Sequence, residues 1–227
     1  MEKVIMSKIY RIFAIALILL NTIFLYSCKG SAGYFKDVVD NKTLNSVLVD
    51  GIPLEHKGEI GINDNYSSSR LEISQGTMFA ELNGSPEAKV NLKVEYLEFQ
   101  PGDASITLED GELRTSSKSG NPVAITRISG SIPEKLGLNL EIGTGSVKLN
   151  NLKGNQIVNI DTGTGSIILN GCSLDKLSAN SGTGNVSLSA CKINSAEIDT
   201  GTGDIILQNS QVGKREFNTG TGKVIDK

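Results

Sequence analysis

From Leu138 to the end of the chain, apolar and polar residues alternate in short runs that recur at a fixed interval. Leu138-Asn139-Leu140-Glu141-Ile142 leads into Gly143-Thr144-Gly145, and Val147-Lys148-Leu149 follows. Gly-Thr-Gly recurs at 143–145, 163–165, 182–184, 201–203 and 220–222, with spacings of 20, 19, 19 and 19 residues. Three residues before each triplet stand Leu140, Ile160, Ala179, Ile198 and Phe217. Five before stand Leu138, Val158, Leu177, Ala196 and, in the last copy, Arg215. Four residues beyond the first glycine come Val147, Ile167, Val186, Ile205 and Val224. Six beyond come Leu149, Leu169, Leu188, Leu207 and, at the end, Asp226; nine beyond come Leu152, Cys172, Cys191 and Ser210. Alternation with a period of two predicts strands whose apolar residues share one face. Two glycines in every repeat, and no 3.6-residue period, argue against helix.

One repeat of this length, with about three strand pieces, cannot enclose a core alone, but stacked repeats can. Each coil would pair in parallel with the coils above and below it at about 4.8 Å. The expected fold is therefore all-β: a β-solenoid, specifically a right-handed parallel β-helix given the bias of parallel connections. A sandwich of regular hairpins would reverse strand direction and need not keep a constant register. The triplets and corners such as Asn170-Gly171 and Gln208-Asn209-Ser210 supply turn chemistry. The structural glycines are Gly143, Gly145, Gly163, Gly165, Gly182, Gly184, Gly201, Gly203, Gly220 and Gly222, with at least one per triplet expected at positive φ. Residues 136–227 form the regular coils. Residues 41–135 are strand-like without a clean repeat and read as degenerate coils or a β-module capping the stack, because an open solenoid end exposes unpaired backbone.

The N-terminus changes the picture of where such a protein works. Lys3, Lys8 and Arg11 precede an apolar run from Ile12 to Phe24, short for a membrane span and suited to a secretory signal. Leu25-Tyr26-Ser27-Cys28 then resembles a bacterial lipobox. That resemblance implies that 1–27 are removed, that Cys28 carries lipid, and that 28–40 form a tether. Two or three acyl chains anchor a protein stably, each buried methylene contributing about 0.8 kcal/mol. The expected location is the bacterial cell envelope, lipid-anchored in the outer membrane, with the side left open. Removing 1–27 takes three basic residues and one acidic residue from totals of 22 and 25, leaving a net charge of −5. That charge and the absence of Trp argue against nucleic acid as a partner.

Ile160-Asp161-Thr162-Gly163-Thr164 and Ile198-Asp199-Thr200-Gly201-Thr202 spell the motif of an aspartic protease. Such an enzyme needs two carboxylates a few ångströms apart, sharing a proton. Two before each triplet stand Glu141, Asp161, Asn180, Asp199 and Asn218, so the aspartates belong to an outward ladder. Two coils would separate them by roughly 9–10 Å, and no catalytic residue is assigned. Gly220-Thr221-Gly222-Lys223 lacks the spacing of a phosphate loop. Ser146, Ser166, Asn185, Asp204 and Lys223 follow the triplets at the wrong period for a calcium nonapeptide. The lone His56 has no Cys or His cluster beside it, so neither a metal nor a cofactor is expected. Cys172 and Cys191 share a slot in adjacent coils and admit two readings. One is a pair of small buried residues, the favoured one; the other is a disulfide, since coil spacing lies inside the bridging range.

Pro133-Glu134-Lys135-Leu136-Gly137-Leu138-Asn139-Leu140-Glu141-Ile142, followed by Gly-Thr-Gly-Ser-Val-Lys-Leu, resembles the bacterial "putative adhesin" family of domains of unknown function. The likeness is strong over 133–225 and loose over 41–132. It implies a β-solenoid envelope protein with no assigned catalytic residues. Three functions are weighed. The first is a non-enzymatic lipoprotein that binds a protein or polysaccharide partner, or acts as a scaffold, and touches the membrane through Cys28. The second is a polysaccharide-acting β-helix lyase or hydrolase, which the tight corners disfavour. The third is a self-assembling structural element, which the charged last coil disfavours.

Overall fold

The computed structural model describes residues 45–65 and 68–227; the signal segment, Cys28 and the tether lie outside them. All regular elements of the described residues are strands. The chain starts with a small hairpin, β1 (Val47–Val49) and β2 (Ile52–Leu54), then β3 (His56–Asn65), β4 (Arg70–Thr77) and β5 (Phe79–Ser85). Next come β6 (Lys89–Glu98), β7 (Ala104–Glu109), β8 (Glu112–Ser117) and β9 (Ala124–Pro133). Five coils follow, each a longer and a shorter strand: β10 (Gly137–Thr144) with β11 (Val147–Asn150), and β12 (Ile157–Thr164) with β13 (Ile167–Asn170). They continue through β14 (Ser173–Thr183) and β15 (Val186–Ser189), β16 (Lys192–Thr202) and β17 (Ile205–Gln208), to β18 (Gln211–Thr221) and β19 (Val224–Asp226).

The coils stack in parallel and in register. One sheet runs β18-β16-β14-β12-β10-β4-β8-β7 and the other β19-β17-β15-β13-β11-β5-β9-β6-β3. The β-solenoid expected from the repeat is therefore present. Leu140 pairs with Ile160, Ile160 with Ala179, Ala179 with Ile198 and Ile198 with Phe217. On the facing sheet Leu149, Leu169, Leu188 and Leu207 form one column, each at most 1% exposed. Burying each such side chain contributes about 1.5–3 kcal/mol. In the later coils the longer strand bends near its start: Leu174 and Leu177 both point inward, three residues apart, and Asp175 drops out of the pairing. That bend gives each of these later coils its third strand piece.

Two corners complete each coil, and each demands unusual backbone. At the triplet corner Gly184 has φ +146°, a region that side chains rarely adopt. Gly182 has ordinary φ, yet a Cβ there would lie 2.5 Å from the Gly163 carbonyl oxygen in the coil below. Thus close approach alone requires the first glycine of a triplet, whereas Gly145, Gly165, Gly184 and Gly203 are required by both conformation and close approach. The last triplet departs from the expected pattern, because neither Gly220 nor Gly222 has a positive φ and close approach alone requires both. At the opposite corner Asn151, Gly171, Ala190 and Asn209 share one slot and all have φ between 51° and 60°. Asn and Gly suit this left-handed conformation, whereas Ala190 adopts it at a cost of about 1–2 kcal/mol. Asn150 donates from Nδ2 to Asn83 Oδ1 at 3.0 Å, and Asn170 to Asn150 Oδ1 at 2.9 Å, fastening that corner from coil to coil.

Upstream of Pro133 the chain builds one more coil and a cap. Strands β4 and β5 stack under β10 and β11, with Thr77 paired to Thr144 and Leu82 to Leu149. Gly76-Thr77-Met78 takes the place of a triplet there, and Met78 is fully buried. Beyond this coil the pairing turns antiparallel: β9 lies against β6 and β6 against β3, while β7 and β8 form a hairpin on the other sheet. Glu98, 3% exposed, ties down the β6–β7 turn by accepting hydrogen bonds from the backbone amides of Gly102, Asp103 and Ala104 at 2.8–2.9 Å. Asp103 accepts from the Ser119 hydroxyl and amide, and the hydroxyl above all holds its carboxyl below the usual range.

The triplet corner yields a direct test. Gly184→Ala is expected to lower stability by about 2 kcal/mol or more, since it combines positive φ with a clash against the coil below. Thr183→Ala, on the exposed side of the same corner, is expected to change it by less than about 0.5 kcal/mol. Urea unfolding of the two variants compares them; equal midpoints contradict this assignment.

Candidate functional site

Period-two alternation on the longer strands puts every second residue on the outer face, and the register lines these residues into columns. Ser74, Glu141, Asp161, Asn180, Asp199 and Asn218 form one column. Beside it Glu72, Asn139, Asn159, Ser178, Glu197 and Glu216 form a second. On the other flank run the first glycines, Gly76, Gly143, Gly163, Gly182, Gly201 and Gly220. A Cβ on any of the last five would stand 2.5–2.6 Å from the preceding glycine's carbonyl oxygen, so this column excludes side chains. The result is a shallow furrow along the solenoid, floored by bare backbone. Thr77, Thr144, Thr164, Thr183, Thr202 and Thr221 follow its far side. Across five strand spacings it extends about 24 Å. Its lining includes Ser74, Gln75, Glu141 and Asp161, and Ser74 donates its hydroxyl to Glu141 Oε2 at 3.3 Å.

Asp161 and Asp199 are both in this outer column, each paired in register with Asn180 between them. Two strand spacings set them about 10 Å apart, too far to share a proton. The threonine of the same motif has a different task. Thr162, Ser181 and Thr200 point inward and are 1–3% exposed. The Thr162 hydroxyl donates to the Gly145 carbonyl at 3.1 Å, Ser181 to Gly165 at 2.9 Å and Thr200 to Gly203 at 2.8 Å. Each hydroxyl thus satisfies the carbonyl of a triplet's second glycine inside an otherwise apolar interior. The Asp-Thr-Gly spelling therefore reports one outward side chain, one inward hydroxyl and one residue without room for a side chain.

The residue after each triplet is also occupied with the backbone. Asn185 Oδ1 accepts from the Asp204 amide at 2.8 Å, and Asp204 Oδ1 from the Lys223 amide at 2.9 Å. Among the described residues no group of three or more His, Cys, Asp or Glu side chains comes together. Cys172 and Cys191 are both free thiols and buried at the αL corner. Cys191 donates to the Leu169 carbonyl at 3.4 Å and to Ser189 at 3.3 Å. A hydrogen bond shared with Cys191, and then burial, pushes the Cys172 thiol up.

Several features escaped sequence reasoning although signals existed. The coil at β4–β5 obeys the repeat rule around Gly76: Leu71 at −5, Ile73 at −3, Ala80 at +4 and Leu82 at +6. Met78 in place of the second glycine hides it, as does the 67-residue step to Gly143. Arg215 and Asp226, which break two apolar columns, bond each other at 2.7 Å. Their matching interruption of both columns was the available clue.

The double variant Asp161→Asn, Asp199→Asn is expected to fold and to melt within a few degrees of the parent. Asn already stands at 180 and 218 in the column. Thr162→Val, which removes the donor to the Gly145 carbonyl, is expected to cost about 1–3 kcal/mol. Thermal melts compare the two, and a larger loss from the aspartate pair contradicts the outward placement.

The family model described as Toastrack DUF4097 matches residues 56–224. No curated protein matches the chain. Among solved structures, a "putative adhesin" from Bacteroides fragilis is 12% identical, over 75% of this chain and 97% of its own, with a TM-score of 0.43. A "putative cell adhesion protein" from Clostridium sporogenes is 15% identical, over 76% and 98%, with a TM-score of 0.38. A "putative lipid binding protein" from Parabacteroides distasonis is 15% identical, over 75% and 96%, with a TM-score of 0.24. The family match takes in the antiparallel cap, the hidden coil and nearly all of the triplet coils, and by it the chain belongs to the Toastrack DUF4097 family.

Proposed function

We propose that this chain is a non-enzymatic lipoprotein of the bacterial cell envelope, anchored through Cys28, that binds an extended polymer along the outer face of its longer strands. The observation that supports binding is the glycine-floored furrow, with an amide and carboxylate column on one side and a hydroxyl column on the other. A straight, side-chain-free floor admits a chain-like ligand along the solenoid axis. The flanking Asn180, Asp199 and Thr183 groups offer hydrogen bonds at every coil, which suits a hydroxyl-rich polysaccharide. Each contact is modest, and affinity comes from repetition along the ligand. The anchor rests on Leu25-Tyr26-Ser27-Cys28 following an apolar run with a basic start.

Two measurements test this reading. Cys28→Ala is expected to move the protein from the membrane to the soluble fraction, and retention in the detergent phase contradicts the anchor. Asn180→Lys, placed in the wall of the furrow, is expected to weaken binding of envelope polysaccharide at least tenfold by titration calorimetry. Unchanged affinity, or no polysaccharide binding by the parent, removes the furrow as the binding face.

A further inference from the structure

We propose that Cys172 and Cys191 form a disulfide that clamps the β13–β14 corner to the β15–β16 corner, at the step where the side-chain ladder of that corner gives out. Asn83, Asn150 and Asn170 fasten the corner from coil to coil through their amides. The next member of the column is Ser189, so the amide ladder stops at Asn170. Two residues further along the chain, that same step is the one from Cys172 to Cys191. Directly before Cys191 stands Ala190, whose left-handed φ of 52° suits Asn or Gly better. In its slot Asn151, Gly171 and Asn209 all meet that preference, and Ala190 does not. The cysteine pair is therefore placed where the corner is fastened least.

Strand register brings the two sulfurs together. Asn170 pairs with Ser189 on one side of the cysteines and Ser173 with Lys192 on the other, and the Lys192 amide donates to the Cys172 carbonyl at 2.8 Å. The two Cα atoms are thus about 4.8 Å apart, inside the bridging range of roughly 4.4–6.8 Å. Both side chains point inward, 1% and 2% exposed, and the thiols share a hydrogen bond. Their other partners are backbone carbonyls at 3.3–3.7 Å, long contacts for a weak donor. A disulfide has no donor to satisfy and suits the apolar interior better than two thiols. A metal fits less well: the column continues as Leu152 and Ser210, and among the described residues no group of three His, Cys, Asp or Glu comes together. The bond forms by exchange with a small-molecule or protein disulfide. While the corner is open, one cysteine thiolate attacks the donor, whose S–S bond breaks and releases one thiolate. As the coils pair, the second cysteine thiolate attacks this mixed disulfide and releases the donor's other thiolate. The two cysteine protons end on the two released thiols, so the cysteines are oxidised and the donor is reduced. Closure then buries the bond away from reductants.

The test uses the full chain with Cys28→Ala, which leaves only these two thiols. It is unfolded and reduced in urea, then returned to buffer containing reduced and oxidised glutathione. After an acid quench, the folded chains are alkylated in denaturant, cut with trypsin and mapped by mass spectrometry. Peptides 154–176 and 177–192 are expected joined through Cys172 and Cys191 in most of the folded chains. At one urea concentration near the midpoint, the bonded chain is expected to show a folded-to-unfolded ratio at least about tenfold above that of the same chain kept reduced, because the bond constrains the unfolded chain. Cys191→Ser is expected to give neither the joined peptides nor the gain. Should the chain not recover from urea, the same mapping is made on chain isolated from its own cells under an alkylating quench, and the joined peptides are expected there. Folded chains with two alkylated thiols or with glutathione adducts overturn the proposal, as does a bonded chain no more stable than the reduced one.

Discussion

Parallel strands stacked in register impose one condition on this chain: whatever a coil places at a position lies about 4.8 Å from the same position of its neighbours. A column therefore succeeds or fails as a whole. Apolar columns such as Leu149, Leu169, Leu188 and Leu207 seal the interior because no member admits water. Asn83, Asn150 and Asn170 succeed for the opposite reason, since an amide both donates and accepts and so links to the coils on both sides. The first glycines follow from the same spacing, because each Cβ would meet the carbonyl oxygen of the coil below. Single-residue propensity matters less here than agreement with the neighbour one period away.

This condition explains which parts could be read without coordinates. Five triplets, and apolar residues at constant offsets from them, specify strands, corners and register together, because each copy repeats the same evidence. The inward hydroxyls were less legible. Thr162, Ser181 and Thr200 sit at a position where alternation demands an inward residue, yet polar side chains ordinarily mark the outside. Only the nearby glycine carbonyls, supplied by the backbone path, make an inward hydroxyl favourable. The coil at Gly76 was hidden for another reason: some fifty residues of antiparallel cap intervene between it and the next coil in space. Stacking tolerates such an insertion as long as the strands before and after it return to register, so a constant period is sufficient evidence for a solenoid without being required.

The candidate binding face shows the same logic. Along the outer sheet, repetition lays identical chemistry at regular steps, which gives a linear array rather than a convergent catalytic cluster. The motif at Asp161 and Asp199 illustrates the difference, because catalysis needs unlike groups gathered at one point and a column spreads like groups along a line. Arg215 and Asp226 depart from two apolar columns together and are paired with each other.

In-register stacking can be measured directly as a ruler. In a background with Cys172→Ala and Cys191→Ala, spin labels at Ser74 and, in turn, Asp161, Asp199 and Asn218 sample one outer column at two, four and five strand steps. Pulsed electron resonance distances are expected to rise linearly, near 10, 19 and 24 Å, at about 4.8 Å per coil. Distances that fail to grow in proportion to the number of repeats would contradict the stacked solenoid.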